Sequence, residues 1–140
     1  MKAILLIPVF SILLFSCKPE KNASDNSSSE VVQKVSVKSV GATEFQNLSK
    51  EANSIILDVR TPEEVAQGKI PNAIAIDIYD SDFGTKVTQL PKEKSILIYC
   101  SAGVRSAKAG EYLISTGYTS VYHLQGGLGD WYKNDFPLEK

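Results

Sequence analysis

The stretch Cys100-Ser101-Ala102-Gly103-Val104-Arg105-Ser106 places a thiol, a glycine and an arginine within one short loop. Small side chains and one glycine let a backbone curl tightly and turn successive N–H groups inward, which makes an anion cradle. A helix that begins inside such a cradle adds partial positive charge at its first turn. A thiol held there loses its proton readily, and the thiolate is the nucleophile. The competing reading of an unpaired cysteine is a small buried hydrophobe without chemistry. Cys100 follows the apolar run Ile96-Leu97-Ile98-Tyr99 directly, with Gly103 and Arg105 behind it, and this setting favours the nucleophile. In this reading the loop residues Ser101, Ala102, Gly103, Val104 and Arg105 bind the substrate around Cys100.

Arg105 has two roles of equal weight: it favours an anionic donor, or it pins the loop by pairing with a carboxylate such as Asp58. Asp58 and Arg60 stand at another strand end and are assigned to loop support, Arg60 as an anchor for the helix that follows rather than as a substrate contact. His123, the one histidine, is read as a packing residue of a strand, because a lone histidine there is more often satisfied by packing than used as a base. Trp131 and the tyrosines Tyr99, Tyr112 and Tyr122 are assigned to the core. Two cysteines, Cys17 and Cys100, and one histidine are too few for a structural zinc site, which takes four such ligands. No metal is expected. The formal net charge of -1 argues for neither nucleic acid nor an anionic membrane surface as partner.

The elements that position these residues follow from periodicity. A length of 140 residues with 43% hydrophobic and 22% charged residues suits one globular domain. Residues 35–40 alternate and predict an edge or half-buried strand, after which Thr43 is expected to cap a helix through Lys50. Residues 54–59 form a continuous apolar run, the mark of a strand covered on both faces. Thr61-Pro62-Glu63-Glu64 is a helix start: a capping hydroxyl, a proline at the first position and acids in the first turn. Strands are predicted at 74–78, 95–99 and 121–124, with helices near 80–90, over 104–114 up to Gly117, and from Gly126-Gly127 through Trp131. Strands alternating with helices imply an α/β domain with a mostly parallel sheet and helices on both faces. In such sheets ligands bind beyond the carboxyl ends of the strands, which is where Cys100 falls.

The N-terminal part has a different character. Met1-Lys2 precedes an apolar stretch, residues 3–15, too short to span a bilayer and suited to a secretory signal. Leu14-Phe15-Ser16-Cys17 resembles a bacterial lipobox, with Phe15 bulkier than the residue usual there. That resemblance implies removal of residues 1–16 and a lipidated Cys17 anchoring the protein on the extracytoplasmic side of a membrane. Residues 18–30 are rich in Ser, Asn, Lys and Glu and lack large apolar residues, so a flexible tether is expected over 17–31 and the folded domain over 32–140.

Four motifs together resemble the rhodanese-like (sulfurtransferase) family. They are Asp58-Val59-Arg60 with Thr61-Pro62-Glu63-Glu64, Gly68-Lys69-Ile70-Pro71-Asn72-Ala73, the Cys100 to Ser106 loop, and Leu124-Gln125-Gly126-Gly127 through Trp131. They stand in family order, and only the cysteine loop is specific by itself. The resemblance implies a five-stranded parallel sheet and a Cys100 that carries sulfur as a persulfide, without organic cofactor. It implies a small-molecule donor such as thiosulfate and a thiol or cyanide acceptor, with a protein acceptor also open. Lys69 departs from the family, which often has histidine there. Two alternatives remain: a non-catalytic binding module, which typically loses the cysteine, and a phosphatase of the same fold. Such phosphatases place five residues between cysteine and arginine, whereas Ser101 to Val104 are four.

Overall fold

A computed structural model describes residues 34–140. The expected signal segment, Cys17 and the tether lie outside the described residues.

Five strands form one sheet in the order β1-β5-β4-β2-β3, with every pairing parallel. The two strands read as continuous apolar runs, β2 (Ser54–Asp58) and β4 (Ser95–Tyr99), lie side by side in the interior of the sheet. β5 (Val121–Leu124) flanks β4, and the short strands β1 (Lys38–Val40) and β3 (Ile74–Ala75) close the two edges. Register aligns Asp58 with Tyr99, Ile98 with His123, and Val40 with Leu124, so the strands end along a common edge with Cys100 one residue beyond it. The fold expected from the sequence, α/β with a five-stranded parallel sheet, is the fold observed.

Side-chain alternation along β4 divides the core. Ile96 and Ile98 pack with Leu57, Phe83, Val87, Leu113 and Val121 on one face, which carries α3 (Phe83–Val87) and α4 (Val104–Ser115). Leu97 and Tyr99 pack with Phe45, Ile56, Leu124, Leu128 and Trp131 on the other, beneath α1 (Ala42–Ser49) and α5 (Gly127–Lys133). A strand with apolar residues on both faces must be covered on both, and this requirement sets the layering.

Several elements depart from expectation. β1 begins at Lys38 rather than Val35, and β3 contracts to Ile74 and Ala75, because an edge strand keeps only the ladder its one neighbour supplies: Leu57 with Ile74 and Asp58 with Ala75. Gly41, not Thr43, is the N-cap of α1, and the helix near 80–90 shrinks to Phe83–Val87. Tyr99 and Trp131 are buried as expected, but Tyr112 is 41% exposed and Tyr122 only half-buried. Tyr112 lies on the outer side of α4 with its ring tilted against Phe83, beyond the sheet-facing residues Ala109 and Leu113.

Candidate active site

β4 delivers Cys100 to the site, and the backbone then reverses into α4 through Gly103, whose φ of 93° is left-handed. A Cβ on Gly103 would collide with the Gln125 carbonyl oxygen, so this turn accepts only glycine. The segment after β5 holds the other side of the loop. The Leu128 N–H donates to the Cys100 carbonyl at 2.9 Å and the Gly129 N–H to the Ser101 carbonyl at 3.3 Å. Gly127, with φ 57°, permits that approach, since a Cβ there would meet the Cys100 and Ser101 carbonyls at 2.5 Å. With its carbonyls tied outward to α5, the loop turns its N–H groups toward the thiol.

The Gly103 N–H donates to Cys100 Sγ at 3.1 Å, and Ser106 Oγ lies 3.8 Å from the same sulfur. Cys100 is a free thiol, 1% exposed. Burial acts most strongly on its pKa and pushes it up. The backbone N–H groups of Ser106 and Ala102, the Ser106 hydroxyl and the Gly103 N–H together outweigh burial, and the thiol ends below its ordinary value. The lowered thiol pKa thus has its physical basis in hydrogen bonds from the loop, at the N-terminus of a twelve-residue helix.

Arg105 does not meet Asp58, and the expected pairing is corrected. Its guanidinium forms a bidentate pair with Glu64, Nη1 to Oε2 and Nη2 to Oε1, both at 2.7 Å. Nη2 also donates to Ser101 Oγ at 3.1 Å, and the Ser101 hydroxyl donates to Glu64 Oε1 at 2.5 Å. Glu64 reaches the loop because α2 (Pro62–Val65) starts at the carboxyl edge of the sheet, capped by Thr61 as expected, with the Glu64 side chain completing a reciprocal box. The hydrogen bond from Arg105 holds the Glu64 carboxyl far below the carboxylate range, and the same bond raises Arg105. Of Arg105's two readings, the geometry supplies the loop pin, with a different carboxylate. The Ser101 side chain is likewise spent on this pair. Val104, 65% exposed, presents its side chain at the rim, and Tyr79, 72% exposed, lies under the Arg105 guanidinium at 6.0 Å.

Asp58 is fully buried and serves Arg60 instead. It accepts from Arg60 Nε at 2.9 Å, from Nη2 at 2.6 Å, from the Arg60 backbone N–H at 3.0 Å, and from the Tyr99 hydroxyl at 2.5 Å. Arg60 in turn donates to the carbonyls of Gly68, at 2.8 Å, and Glu64, at 3.2 Å, while the Tyr99 hydroxyl accepts from the Ile70 N–H at 3.0 Å. These hydrogen bonds fasten α2 and the Gly68–Ile70 segment to the sheet and do not reach residues 100–106. The loop support expected of Asp58 and Arg60 is therefore corrected, and only Arg60's reading as an anchor for the following helix matches the contacts. Lys69 donates to the Ala73 carbonyl at 2.8 Å and pairs with Glu139 at 3.2 Å, so it fastens its turn to the C-terminal segment.

Two residues at the site go beyond those expected from the sequence. Glu64 is legible there as part of a helix start, and the signal for its second role is that start falling at a strand's carboxyl end. Ser106 belongs to the cysteine loop, one helical turn from Gly103, but no spacing rule assigns it a role.

Residues 41–134 match the Rhodanese-like domain family. The chain belongs to that family. This rhodanese-like chain is 34% identical over 93 residues to a protein named "Sulfurtransferase" from Allochromatium vinosum, across 66% of this chain and 85% of that one. It is 35% identical over 88 residues to a tRNA uridine(34) hydroxylase from Cytophaga hutchinsonii, covering 61% of this chain but only 28% of the relative. Among solved structures, a rhodanese-like domain protein from Staphylococcus aureus superposes with a TM-score of 0.63 at 38% identity, covering 74% of this chain and 97% of the other.

Proposed function

We propose that this rhodanese-like protein moves sulfane sulfur from a donor such as thiosulfate to a thiol or cyanide acceptor through a persulfide on Cys100. The Cys100 thiolate attacks the outer sulfur of the donor. A Sγ–S bond forms, the donor's S–S bond breaks, and its electron pair leaves with sulfite. The acceptor nucleophile then attacks the outer persulfide sulfur, and Cys100 departs as the thiolate. No external oxidant or reductant is needed. The observation that carries this reading is a buried thiol with a depressed pKa, held by the Gly103 N–H at 3.1 Å in a loop of inward N–H groups. Those groups stabilise negative sulfur in each step. The relatedness to a protein named sulfurtransferase supports the same class.

Cys100→Ser is expected to abolish both persulfide formation with thiosulfate, read as a mass gain on the Cys100 peptide, and transfer to cyanide or a thiol. The fold is expected to persist, since the change is nearly isosteric. Transferase activity retained by that variant would overturn the assignment. Aryl phosphate hydrolysis measured on the same preparation tests the phosphatase alternative. The wild-type loop is one residue shorter than such enzymes use and should crowd a tetrahedral anion. Efficient Cys100-dependent phosphate release without sulfur transfer would reverse the reading.

We also propose that Cys17 is lipidated and tethers the domain to a membrane on the extracytoplasmic side. The apolar run ending in Ser16-Cys17 before a polar segment motivates it. One acyl chain holds a protein only marginally, so stable anchoring requires more than one. Cys17→Ala is expected to move the protein from the membrane to the soluble fraction and to change its mature mass; unchanged partitioning and mass would refute the anchor.

A further inference from the structure

His123 is not an isolated packing residue. Its ring lies between two hydroxyls, with Nε2 2.7 Å from Ser39 Oγ on β1 and Nδ1 3.4 Å from Ser106 Oγ on α4. Ser106 is fully buried, His123 is 8% exposed, and Ser106 Oγ is the oxygen 3.8 Å from Cys100 Sγ. These contacts join the rear of the thiol site to the edge of the sheet.

The hydrogen count along this chain is restrictive. Burial lowers the His123 pKa, so the imidazole is neutral in neutral solution and carries one N–H. The Ser106 hydroxyl also has one hydrogen, which it donates to the Gly103 carbonyl at 2.9 Å. If the imidazole proton sits on Nε2, Nδ1 is an acceptor that competes for the Ser106 hydrogen, and a Cys100 thiolate loses this donor. If it sits on Nδ1, the Ser39 hydroxyl donates to Nε2, Nδ1–H donates to Ser106 Oγ, and the Ser106 hydrogen stays available for Gly103 or Cys100. The Gly103 carbonyl also accepts from the Ala107 N–H at 3.0 Å, so releasing the hydroxyl leaves no orphaned acceptor.

We propose that His123 is a positioning residue for the Cys100 chemistry: held by Ser39 with its proton on Nδ1, it fixes the Ser106 hydroxyl as a donor to negative sulfur on Cys100. Ser39 from β1 and Ser106 from α4 are the polar groups at its two ring nitrogens. The charged groups at the thiol site are Arg105 on α4 and Glu64 on α2, bound to each other. This deepens the sulfur-transfer reading, but it can be tested without turnover.

The experiment measures the rate of iodoacetamide alkylation of Cys100 against pH in the full chain, followed by mass spectrometry of the Cys100 peptide. His123→Gln puts an amide at the Nε2 position and none at Nδ1; His123→Asn puts an amide N–H at the Nδ1 position. His123→Gln is expected to raise the alkylation midpoint by about one pH unit, about tenfold in thiolate population at fixed pH below it, and His123→Asn to stay near wild type. In a Ser106→Ala background, His123→Gln should add no further shift. Equal midpoints for the Gln and Asn variants, or a full additional shift in the Ser106→Ala background, would overturn the proposal. If thiosulfate transfer is absent from wild type while the Gln and Asn midpoints still separate, the sulfur-transfer reading fails and this inference stands.

Discussion

Asp58→Ala is expected to lower the unfolding free energy by about 3–5 kcal/mol, because it leaves a buried guanidinium without its counter-charge. Arg60 is 4% exposed, and only the Gly68 and Glu64 carbonyls would remain to it. The Tyr99 hydroxyl would lose its acceptor as well, in a core position where an unmade hydrogen bond costs about 1–3 kcal/mol. Domains of this kind have only about 5–15 kcal/mol of net stability, so a large share would go in one substitution. Denaturant unfolding measures it. The combined change Asp58→Ala with Arg60→Met should recover part of the loss, since replacing both charges removes the unpaired ion. A loss under about 1 kcal/mol for Asp58→Ala would mean that the pair does not anchor the sheet to the segment after it.

The Gly103→Ala variant is expected to lose both stability and thiol reactivity. Its Cβ would run into the Gln125 carbonyl oxygen, a backbone atom fixed by β5 and the turn after it, at a φ of 93° where L side chains are strained. Backbone strain and overpacking each cost about 1–3 kcal/mol, so the loop must shift rather than accommodate the methyl. Any shift moves the Gly103 N–H away from Cys100 Sγ, and reactivity falls with the thiolate. Gly41→Ala is the matched control: no atom lies within 4 Å of a Cβ there, and its effect should stay within about 1 kcal/mol. Equal stability and equal Cys100 alkylation rates for the two variants would contradict the steric account.

Part of the site is legible in the residues themselves, and the reason is local. β4 matches its predicted bounds because a continuous apolar run between charged or turn residues has one good solution in a covered sheet, and β5 matches as a short segment stopped by the Gly126-Gly127 turn. The cysteine loop is legible because glycine and small residues between a strand and a helix restrict the backbone to a tight turn. Thr61-Pro62-Glu63-Glu64 declares its helix for the same reason, since capping is satisfied within a few residues. Partner choice is another matter. Sequence places Arg105 and Asp58 at two strand ends and suggests that they meet, but parallel register sets Asp58 opposite Tyr99 and beneath α2, while Glu64 projects from α2 to the loop. Which carboxylate takes which arginine depends on the crossover path after β2, which no spacing encodes. β3 is short because an edge position offers one neighbour, and His123 acquires two hydroxyl partners only when β1 and α4 converge on β5. The thiol and its turn were determined locally by residue type; the pairings that hold and tune them were decided by strand order and register.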